Sequence, residues 1–244
     1  MITTSLLSNG RKVEEAGDCS FGNVLFRIAS VIGIATMNGY SYGFDNWPAQ
    51  KYFVNKLPVC KQVFKLVKMP VTFELYDFGF CGFNFRDNAN YQGYLGSWKY
   101  FEHCKEIIRY YFDMEPICEP YRDRILVHYR DYKGGGHKSW TYLDRDYYIE
   151  ALKHLPKKKV IVVTDNIQAA YDAIGLDCEY TCNSPIEDFY LLSHADYLVM
   201  GNSTFSWWGS WLSDCPTVAP LNWYAGTLKN APTKDLFYPK WKMI

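Results

Sequence analysis

The stretch VIVVTDNIQAAYDAI, which runs from Val160 to Ile174, decides the fold class. Its first four residues are apolar and β-branched, which is typical of a strand buried on both faces. The polar run Thr164-Asp165-Asn166 is typical of a turn that leads into a helix. Apolar residues then recur at helical spacing from Ile167 to Ile174. A buried strand, a polar turn and a helix together predict part of a βαβ unit with a parallel sheet.

The same alternation continues on both sides of this stretch. The predicted strands are Ile125 to Tyr129, Tyr197 to Met200 and Thr217 to Ala219, and the predicted helices are Asp146 to Leu155, Glu187 to His194 and Phe205 to Leu212. Strands that alternate with helices of about ten residues indicate a doubly wound α/β sheet. In such a sheet, ligands bind outside the carboxyl ends of the strands.

The first half of the chain is less regular. It predicts an apolar helix from Phe21 to Asn38, a strand from Tyr40 to Phe44 and a long helix from Gly96 to Phe112, while Val71 to Phe85 suits either strands or a loop. Prolines at 116 and 120 indicate a boundary. We therefore expect two Rossmann-like halves with a cleft between them, as in GT-B enzymes. Residues 1–120 would form an acceptor-side half and residues 121–244 a nucleotide-sugar half, the last residues packing back on the first half.

Charge and composition exclude several classes of function. Lys plus Arg and Asp plus Glu number 26 each among 244 residues, so no global field attracts nucleic acid or a membrane surface. Affinity for an anion must therefore come from a local arrangement. Aromatic residues reach 18% of the chain. Most of these rings suit a core, and some suit the C–H face of a sugar.

The cysteines and the N-terminus indicate a soluble, cytoplasmic protein. Eight cysteines are scattered without metal-ligand spacing, which predicts reduced thiols. Charged residues precede the first apolar run, unlike a secretory signal. That run, from Val24 to Met37, is too short to span a bilayer and contains Arg27. No membrane span and no nucleic-acid partner are expected, and the sequence does not indicate an oligomeric state.

A phosphate site is one interpretation of the segment that starts at Gly201-Asn202-Ser203-Thr204-Phe205. The segment follows a predicted strand and opens a predicted helix, so the N–H groups of Ser203, Thr204 and Phe205 would be available to an anion. An ordinary N-cap fits the same residues equally well. Trp207 and Trp211 suit the core better than a sugar platform.

A second polar segment, from His128 to His137, ends another predicted strand. Arg130 offers a fork of donors to a diphosphate, and Asp131 could take a proton from an attacking hydroxyl, with His128 and His137 as further candidates. Three glycines between Lys133 and His137 predict a mobile loop rather than a phosphate loop. Tyr132 and His137 are candidate acceptor contacts.

Two further segments carry candidate donor contacts. Thr164 and Asp165 end the Val160 strand, where a carboxylate commonly holds a ribose hydroxyl, although the segment suits a helix cap equally well. Gly22 and Asn23 open the apolar helix near the N-terminus, where glycine lets the backbone approach a phosphate or sugar closely.

These segments together resemble a known family. The run from Asn202 to Gly209, with Trp211-Leu212, is similar to the signature of the α-1,2-fucosyltransferases, glycosyltransferase family 11. Further matching runs, in family order, are Phe21-Gly22-Asn23 with Leu25-Phe26, Ser97-x-Lys99-Tyr100-Phe101, Asp146-Tyr147-Tyr148, Thr164-Asp165 and Ala219-Pro220 with Trp223-Tyr224. The resemblance covers most of residues 20–225. It implies a GT-B fold, a metal-independent inverting transfer without cofactor, GDP-fucose as donor and a glycan hydroxyl as acceptor.

One departure from the family pattern concerns the donor. The family has His-x-Arg-Arg-x-Asp-Tyr, whereas this chain has His128-Tyr129-Arg130-Asp131-Tyr132 and lacks the second Arg. Val24 also replaces the family's Gln. Lys133 and Arg145 are the closest cations that could substitute. Another nucleotide sugar, such as a UDP- or GDP-linked pentose or deoxyhexose, therefore fits nearly as well as GDP-fucose.

Two other classes of function remain open. Asp144-Arg145-Asp146 has the Asp-x-Asp form of metal-dependent GT-A transferases, although Asp144 suits a helix N-cap better. A glycan-binding module that kept the sheet and lost catalysis would also explain the shortened motif around Arg130.

Overall fold

A computed structural model describes residues 1–4, 6, 21–68, 79–82, 84–93 and 95–244. The chain divides into two units. The first comprises Met1–Glu115 with Ala231–Phe237, and the second comprises Pro116–Asn230 with Tyr238–Ile244. Which unit takes the donor and which the acceptor stays a prediction.

The second unit is built on a six-stranded parallel sheet. Its strands are β4 (Arg124–Tyr129), β5 (Lys159–Thr164), β6 (Glu179–Thr181), β7 (Tyr197–Val199), β8 (Thr217–Ala219) and β9 (Lys242–Met243), in the order β6-β5-β4-β7-β8-β9. All five pairings are parallel. This is the Rossmann order 3-2-1-4-5-6, with its switch point between β4 and β7. The predicted α/β class with a parallel sheet is confirmed.

Four helices connect these strands: α3 (Arg145–Lys153), α4 (Ile167–Ile174), α5 (Pro185–Ser193) and α6 (Thr204–Ser213). Each begins at a residue whose side chain accepts a hydrogen bond from the first turn, namely Asp144, Asn166, Ser184 and Ser203. Gly175 ends α4 in the left-handed conformation. The caps explain why the predicted boundaries of these helices lie within two residues of the observed ones.

The core of the second unit lies along the sheet. Val127, Val162 and Val199 are fully buried on the central strands, and Tyr148 and Ile174 cover them from α3 and α4. Trp207, Trp208 and Trp211 on α6 are also buried. The prediction that Trp207 and Trp211 belong to the core is confirmed.

The first unit contains a smaller parallel sheet. Its described strands are β1 (Ile2–Thr3), β2 (Lys65–Lys68) and β3 (Ala89–Gln92), in the order β1-β3-β2, with α1 (Phe21–Asn38) and α2 (Lys105–Tyr111). α1 coincides with its predicted range and is largely buried. The helix is longer than the apolar run from Val24 to Met37, and by length and composition it is the one helix in the described residues that could span a membrane, contrary to the expectation from that run. Of its 18 residues, 72% are buried within the protein.

Two predicted elements of the first unit are wrong. Gly96 to Phe112 is not one helix but two 3-10 turns, Trp98–Tyr100 and Glu102–Cys104, followed by α2. Its backbone lies so close to α1 that a Cβ on Gly33 would stand 2.0 Å from the Tyr100 carbonyl oxygen. That contact, with Tyr100 and Phe101 buried, overrides the helical periodicity. Tyr40 to Phe44 forms only isolated bridges at Tyr42 and Phe44.

Other predictions concern residues that are only partly described. Residues 69–78 and 83, within or beside the stretch from Val71 to Phe85, lie outside the described residues. Seven cysteines of the described part are free thiols, and Cys19 lies outside that part.

Candidate functional site

The predicted donor residues of the second unit meet at the switch point of its sheet. β4 pairs with β7, so the polar segments that follow these two strands are neighbours. A Cβ on Gly201 would stand 2.9 Å from the His128 carbonyl oxygen, which explains why only glycine fits there. The Tyr132 hydroxyl donates a hydrogen bond to the Asn202 carbonyl at 3.1 Å.

Arg130 lies directly after β4, beside the end of β5. Its Nη1 is 2.9 Å from Asp165 Oδ2, and about a third of each side chain is exposed. Asp165 Oδ1 accepts a hydrogen bond from the Asp131 N–H at 3.0 Å. The carboxylate therefore orients the guanidinium and fixes the backbone beside it, while the guanidinium remains accessible to an anion.

Asp131 organises the loop that follows. Its Oδ1 accepts from the Gly134 N–H at 2.7 Å, and its Oδ2 accepts from Asn166 Nδ2 at 2.9 Å. Both oxygens thus have partners within the protein. Each oxygen has a second lone pair, so this carboxylate could accept a further hydrogen bond from an acceptor hydroxyl while it keeps both contacts.

His128 is buried beneath the switch point. Its ring stacks on Phe205 with centroids 5.7 Å apart, and its Nδ1 has no hydrogen-bond partner among the described residues. Burial lowers the pKa of His128 to about 3, and the charge of Arg130 acts in the same direction. The imidazole is therefore neutral at physiological pH and presents a buried polar atom to this edge of the sheet.

The start of α6 is both an N-cap and a partial anion site. Ser203 is the N-cap, and its Oγ accepts from the Phe205 N–H at 3.2 Å. The Ser203 N–H donates to the Gly201 carbonyl at 2.9 Å. Of the three predicted anion donors, only the Thr204 N–H has no such partner in the turn. The helix dipole adds a partial positive charge at the same point.

The side chains of Asn202 and Thr164 hold loops in place. Asn202 is buried, and its Nδ2 donates to the carbonyls of Thr141 at 2.8 Å and Trp223 at 3.0 Å. Thr164 Oγ1 accepts from the Asn166 N–H at 3.1 Å. These contacts give both predicted donor residues a positioning role, and Asn166, not Asp165, supplies the cap of α4.

The predicted acceptor contacts belong to an aromatic cluster. Tyr132 lies 5.6 Å from Trp140 and 5.9 Å from His137 between ring centroids, and Trp140 stacks on Tyr224 at 4.9 Å. Hydrogen bonds from Thr141 and Ala225 join the two loops that carry these rings. The cluster lies on the β8 side of the switch point, while Asp165 lies on the β5 side.

Gly22 and Asn23, the other two predicted donor contacts, belong to the first unit. Both lie in the first turn of α1, in the first unit, where Gly22 is buried and Asn23 is half-buried. Their role as donor contacts stays a prediction.

Arg145 does not substitute for the missing second Arg. Its Nη1 donates to the Ile174 carbonyl at 2.7 Å and also to the Gly175 carbonyl, at the C-terminus of α4. A cation is favoured there by the helix dipole. Lys133, the other candidate, is exposed in the loop after Arg130.

Asp188 on α5 is a candidate that the sequence analysis missed. It is 7% exposed, and its Oδ1 accepts from Asn183 Nδ2 at 2.8 Å, just beyond β6. Burial raises the pKa of Asp188 to about 6, with smaller contributions from Glu187 and Asp165. Its signal in the sequence was an acid on the buried face of an apolar helix.

The Asp-x-Asp motif caps a helix. Asp144 Oδ1 accepts from the Tyr147 N–H at 3.3 Å, and Asp146 lies in the first turn of α3. The prediction of an N-cap is confirmed. Within the described ranges, no group of three or more His, Cys, Asp or Glu side chains is placed to hold a metal ion.

Comparison with known proteins supports the resemblance found in the motifs. The model of glycosyl transferase family 11 matches residues 16–244. The chain is 31% identical over 140 residues to the O-antigen biosynthesis glycosyltransferase WbnK of Escherichia coli, which covers 49% of this chain and 45% of that protein. It is 42% identical over 45 residues to an α-1,2-colitosyltransferase of the same organism, over 17% and 16% of the two chains. The matched parts thus span less than half of these relatives.

The fold is similar to that of a solved enzyme. NodZ α-1,6-fucosyltransferase co-crystallised with GDP aligns with a TM-score of 0.51 at 17% identity, over 78% of this chain and 88% of that one. The fucosyltransferase NodZ from Bradyrhizobium aligns with a TM-score of 0.50 over 78% and 87% of the two chains. At this identity the likeness concerns the fold alone.

Proposed function

Because the chain belongs to glycosyl transferase family 11, we propose that it transfers a sugar, L-fucose or a related deoxyhexose, from a GDP-linked donor to a glycan hydroxyl with inversion. The second unit would bind the donor as the nucleotide-sugar half of a GT-B enzyme, and its Rossmann strand order supports that assignment.

The observation that carries the proposal is the pairing of Arg130 with the start of α6 at the switch point. As the bond to the sugar breaks, negative charge grows on the leaving diphosphate. Arg130, held by Asp165, would stabilise that charge from the β4 side. The Thr204 N–H and the dipole of α6 would stabilise it from the β7 side. Such fixed donors can take the role that a divalent cation has in other transferases.

The base of the donor would lie on the β5 and β6 side, next to Asp188. A carboxylate accepts hydrogen bonds only, and the Watson–Crick edge of guanine offers two adjacent N–H donors, whereas uracil offers one. Asp188 is a buried carboxylate on this side, just beyond β6. This arrangement favours guanine over uracil, in agreement with a GDP-linked donor.

The acceptor would lie on the opposite side of the phosphate, near Tyr132, His137 and Trp140. Aromatic rings offer a flat apolar face to the C–H groups of a sugar, and the cluster is tied to α6 through Tyr132 and Asn202. Asp131 is the proposed base, with His137 as the alternative, since His128 is too deeply buried to exchange protons readily.

Two alternatives keep their support. The colitosyltransferase match and the missing second Arg favour a GDP-linked deoxyhexose other than fucose. The same missing Arg would also suit a glycan-binding module without catalysis, although such a module needs neither Arg130 nor the Thr204 N–H at a switch point.

The test is direct competition among nucleotides. We expect GDP to raise the melting temperature of the purified chain clearly more than UDP or dTDP, and Asp188→Asn to remove most of that preference. Turnover should then follow with GDP-fucose or another GDP-deoxyhexose and a glycoside acceptor. Stabilisation by UDP without a response to GDP would overturn the donor assignment. No response to any nucleotide would favour the binding module.

A further inference from the structure

The first unit carries a surface of lysines and aliphatic side chains around β2. Residues 46–68 contain five lysines and no Asp or Glu, in a chain whose formal net charge is zero. Its exposed basic and aliphatic residues near β2 are here called the basic-apolar surface and are Val59, Lys61, Val63, Lys65, Leu66 and Lys68. This stretch therefore has a local excess of positive charge, although positive and negative residues balance over the whole chain.

The aliphatic members of this surface are exposed to an unusual degree. Val63 is fully exposed, Val59 is 63% exposed and Leu66 is 45% exposed. Single exposed apolar residues are common, but these three lie within eight positions that lead into and include β2. β2 is an edge strand in the described sheet, so side chains on both of its faces reach solvent along this edge. Exposure of this kind, interleaved with lysines, is typical of a surface that contacts an apolar phase bordered by negative charge.

The backbone beneath this surface is held in place. β2 pairs in parallel with β3 from Lys65 to Lys68. Before it, the Phe44 N–H donates to the Pro58 carbonyl, and the Cys60 N–H donates to the Phe44 carbonyl. The side chains are therefore presented from a fixed framework, so their exposure is a property of the fold.

The lysines of the basic-apolar surface have no acidic partner in the part of the chain that the structure describes. Among the described residues, none of Lys61, Lys65 and Lys68 takes part in an ion pair, whereas Lys99, Lys153, Lys158 and Lys240 each pair with an acid. Asp87, the acid that precedes β3, pairs with the N-terminal amine. The positive charge is thus available to an external partner.

We propose that the basic-apolar surface docks on an anionic lipid bilayer. The aliphatic side chains would enter the boundary between headgroups and acyl chains, and the lysine ammonium groups would remain among the lipid phosphates. A nucleic acid fits less well, because it gains nothing from exposed valines and the surface offers no exposed aromatic ring for base stacking. The contact is peripheral, since the apolar helix α1 is largely buried within the protein.

The experiment is co-sedimentation of the full chain with lipid vesicles. Vesicles with roughly one-third phosphatidylglycerol should bind the protein, phosphatidylcholine vesicles should bind it weakly, and added salt should reduce binding to the anionic vesicles. Replacement of Lys61, Lys65 and Lys68 by Glu should lower the partition coefficient about tenfold or more, and Val63→Asp alone should lower it severalfold.

Matched controls come from exposed residues of the second unit. Lys157→Glu and Ile167→Asp change the same kinds of side chain at exposed positions that do not belong to the basic-apolar surface, and both variants should bind vesicles as the wild type does. Melting curves and the GDP response verify that every variant is folded, and the vesicle assay itself needs no turnover. Equal binding to both vesicle types, unchanged binding by the Glu variant, or displacement by an RNA homopolymer would each overturn the proposal.

Discussion

Two ionisable residues near the switch point are buried with opposite effects on their protonation. His128 is neutral because burial lowers its pKa to about 3, and Asp188 retains a proton at mildly acidic pH because burial raises its pKa to about 6. Within the described ranges, neither His128 nor Asp188 takes part in an ion pair. Buried polar groups of this kind cost stability, so their presence at the carboxyl edge of a Rossmann sheet favours a role in binding.

The first prediction concerns the pH dependence of stability at His128. The pKa of His128 in the folded protein lies below its ordinary value of 6.5, so between these two values the unfolded chain binds a proton that the folded protein does not. The stability that the neutral imidazole preserves is therefore fully present above pH 6.5 and is lost as the pH falls. Between pH 7 and pH 4, the free energy of unfolding of the wild type should fall by about 2 to 3 kcal/mol more than that of His128→Gln. Asp188 titrates in both proteins, so its effect on the free energy of unfolding cancels in the difference between them. Denaturant unfolding at several pH values measures the difference, and parallel pH curves would contradict the buried neutral state.

The second prediction concerns Arg130. Arg130→Ala should lower turnover about a hundredfold, or about 3 kcal/mol in the transition state, because it removes the charged donor at the leaving diphosphate. Stability should change by less than about 1 kcal/mol, since the ion pair with Asp165 is partly exposed. Steady-state kinetics and thermal unfolding give the two values.

A matched control for this variant lies at the other end of the same strand. Arg122 precedes β4, is exposed and pairs with Asp196 at 3.5 Å, so Arg122→Ala removes another arginine–aspartate ion pair away from the proposed site. It should leave turnover unchanged. Near wild-type turnover in Arg130→Ala would remove Arg130 from the mechanism.

At the scale of an element, the first turn of α6 combines two functions that the sequence could not separate. Ser203 caps the helix through the Phe205 N–H, while the Thr204 N–H remains for an anion. Because one residue satisfies the cap and a neighbouring group stays available, a substitution can test the second function without removing the first.

The third prediction is that Thr204→Pro weakens donor binding more than it weakens the fold. Thr204 is the first helical residue, where proline is well tolerated, and Ser203 before it is already extended. The change deletes one N–H, so GDP affinity should fall about tenfold or more. Thr204→Ala keeps the N–H and serves as the control. Calorimetric titration and unfolding measure the two effects, and an equal loss of both would favour a purely structural cap.

The elements that the sequence predicts well are those with strong local signals. α4 matches its predicted range because Asn166 begins it and Gly175 ends it. Local signals carry no information about tertiary contacts. The helix predicted from Gly96 to Phe112 is wrong for this reason, because the sequence does not show that the Tyr100 backbone lies close to Gly33. The short strands β1 and β9 have two residues each and leave no periodicity to detect.

The same distinction applies to the candidate site. Residues that end strands, such as Arg130 and Asp165, were predicted because the carboxyl edge of a parallel sheet is a general location for ligands. The hydrogen-bond partners of the site residues were not predictable, because they are distant along the chain. Asn202, for example, donates to carbonyls 61 and 21 residues away. Asp188 was missed because an acid near a helix N-terminus ordinarily complements the helix dipole.

At the scale of the whole molecule, the strand order determines which segments can share one ligand. The switch point between β4 and β7 brings together segments separated by about seventy residues, as the Tyr132 to Asn202 hydrogen bond shows. On one side lie Asp165 and Asp188, and on the other lie Trp140 and Tyr224. A nucleotide sugar bound across this point would extend from base to sugar along the sheet edge, which gives the proposed donor and acceptor sites their order.

The last prediction is that turnover does not depend on a divalent cation. In metal-dependent transferases of the GT-A type, an Asp-x-Asp motif ends a strand and presents its carboxylates to the ion. Here Asp144 accepts a hydrogen bond from the Tyr147 N–H and Asp146 lies in the first turn of α3, so both carboxylates serve the helix start. Positive charge at the leaving group would come from Arg130 and the start of α6. Turnover measured with a GDP-linked donor should therefore be the same with excess chelator as with added Mg²⁺ or Mn²⁺. A loss of turnover that is restored by either ion would contradict this mechanism, while leaving nucleotide binding at the switch point to be judged by the GDP titration.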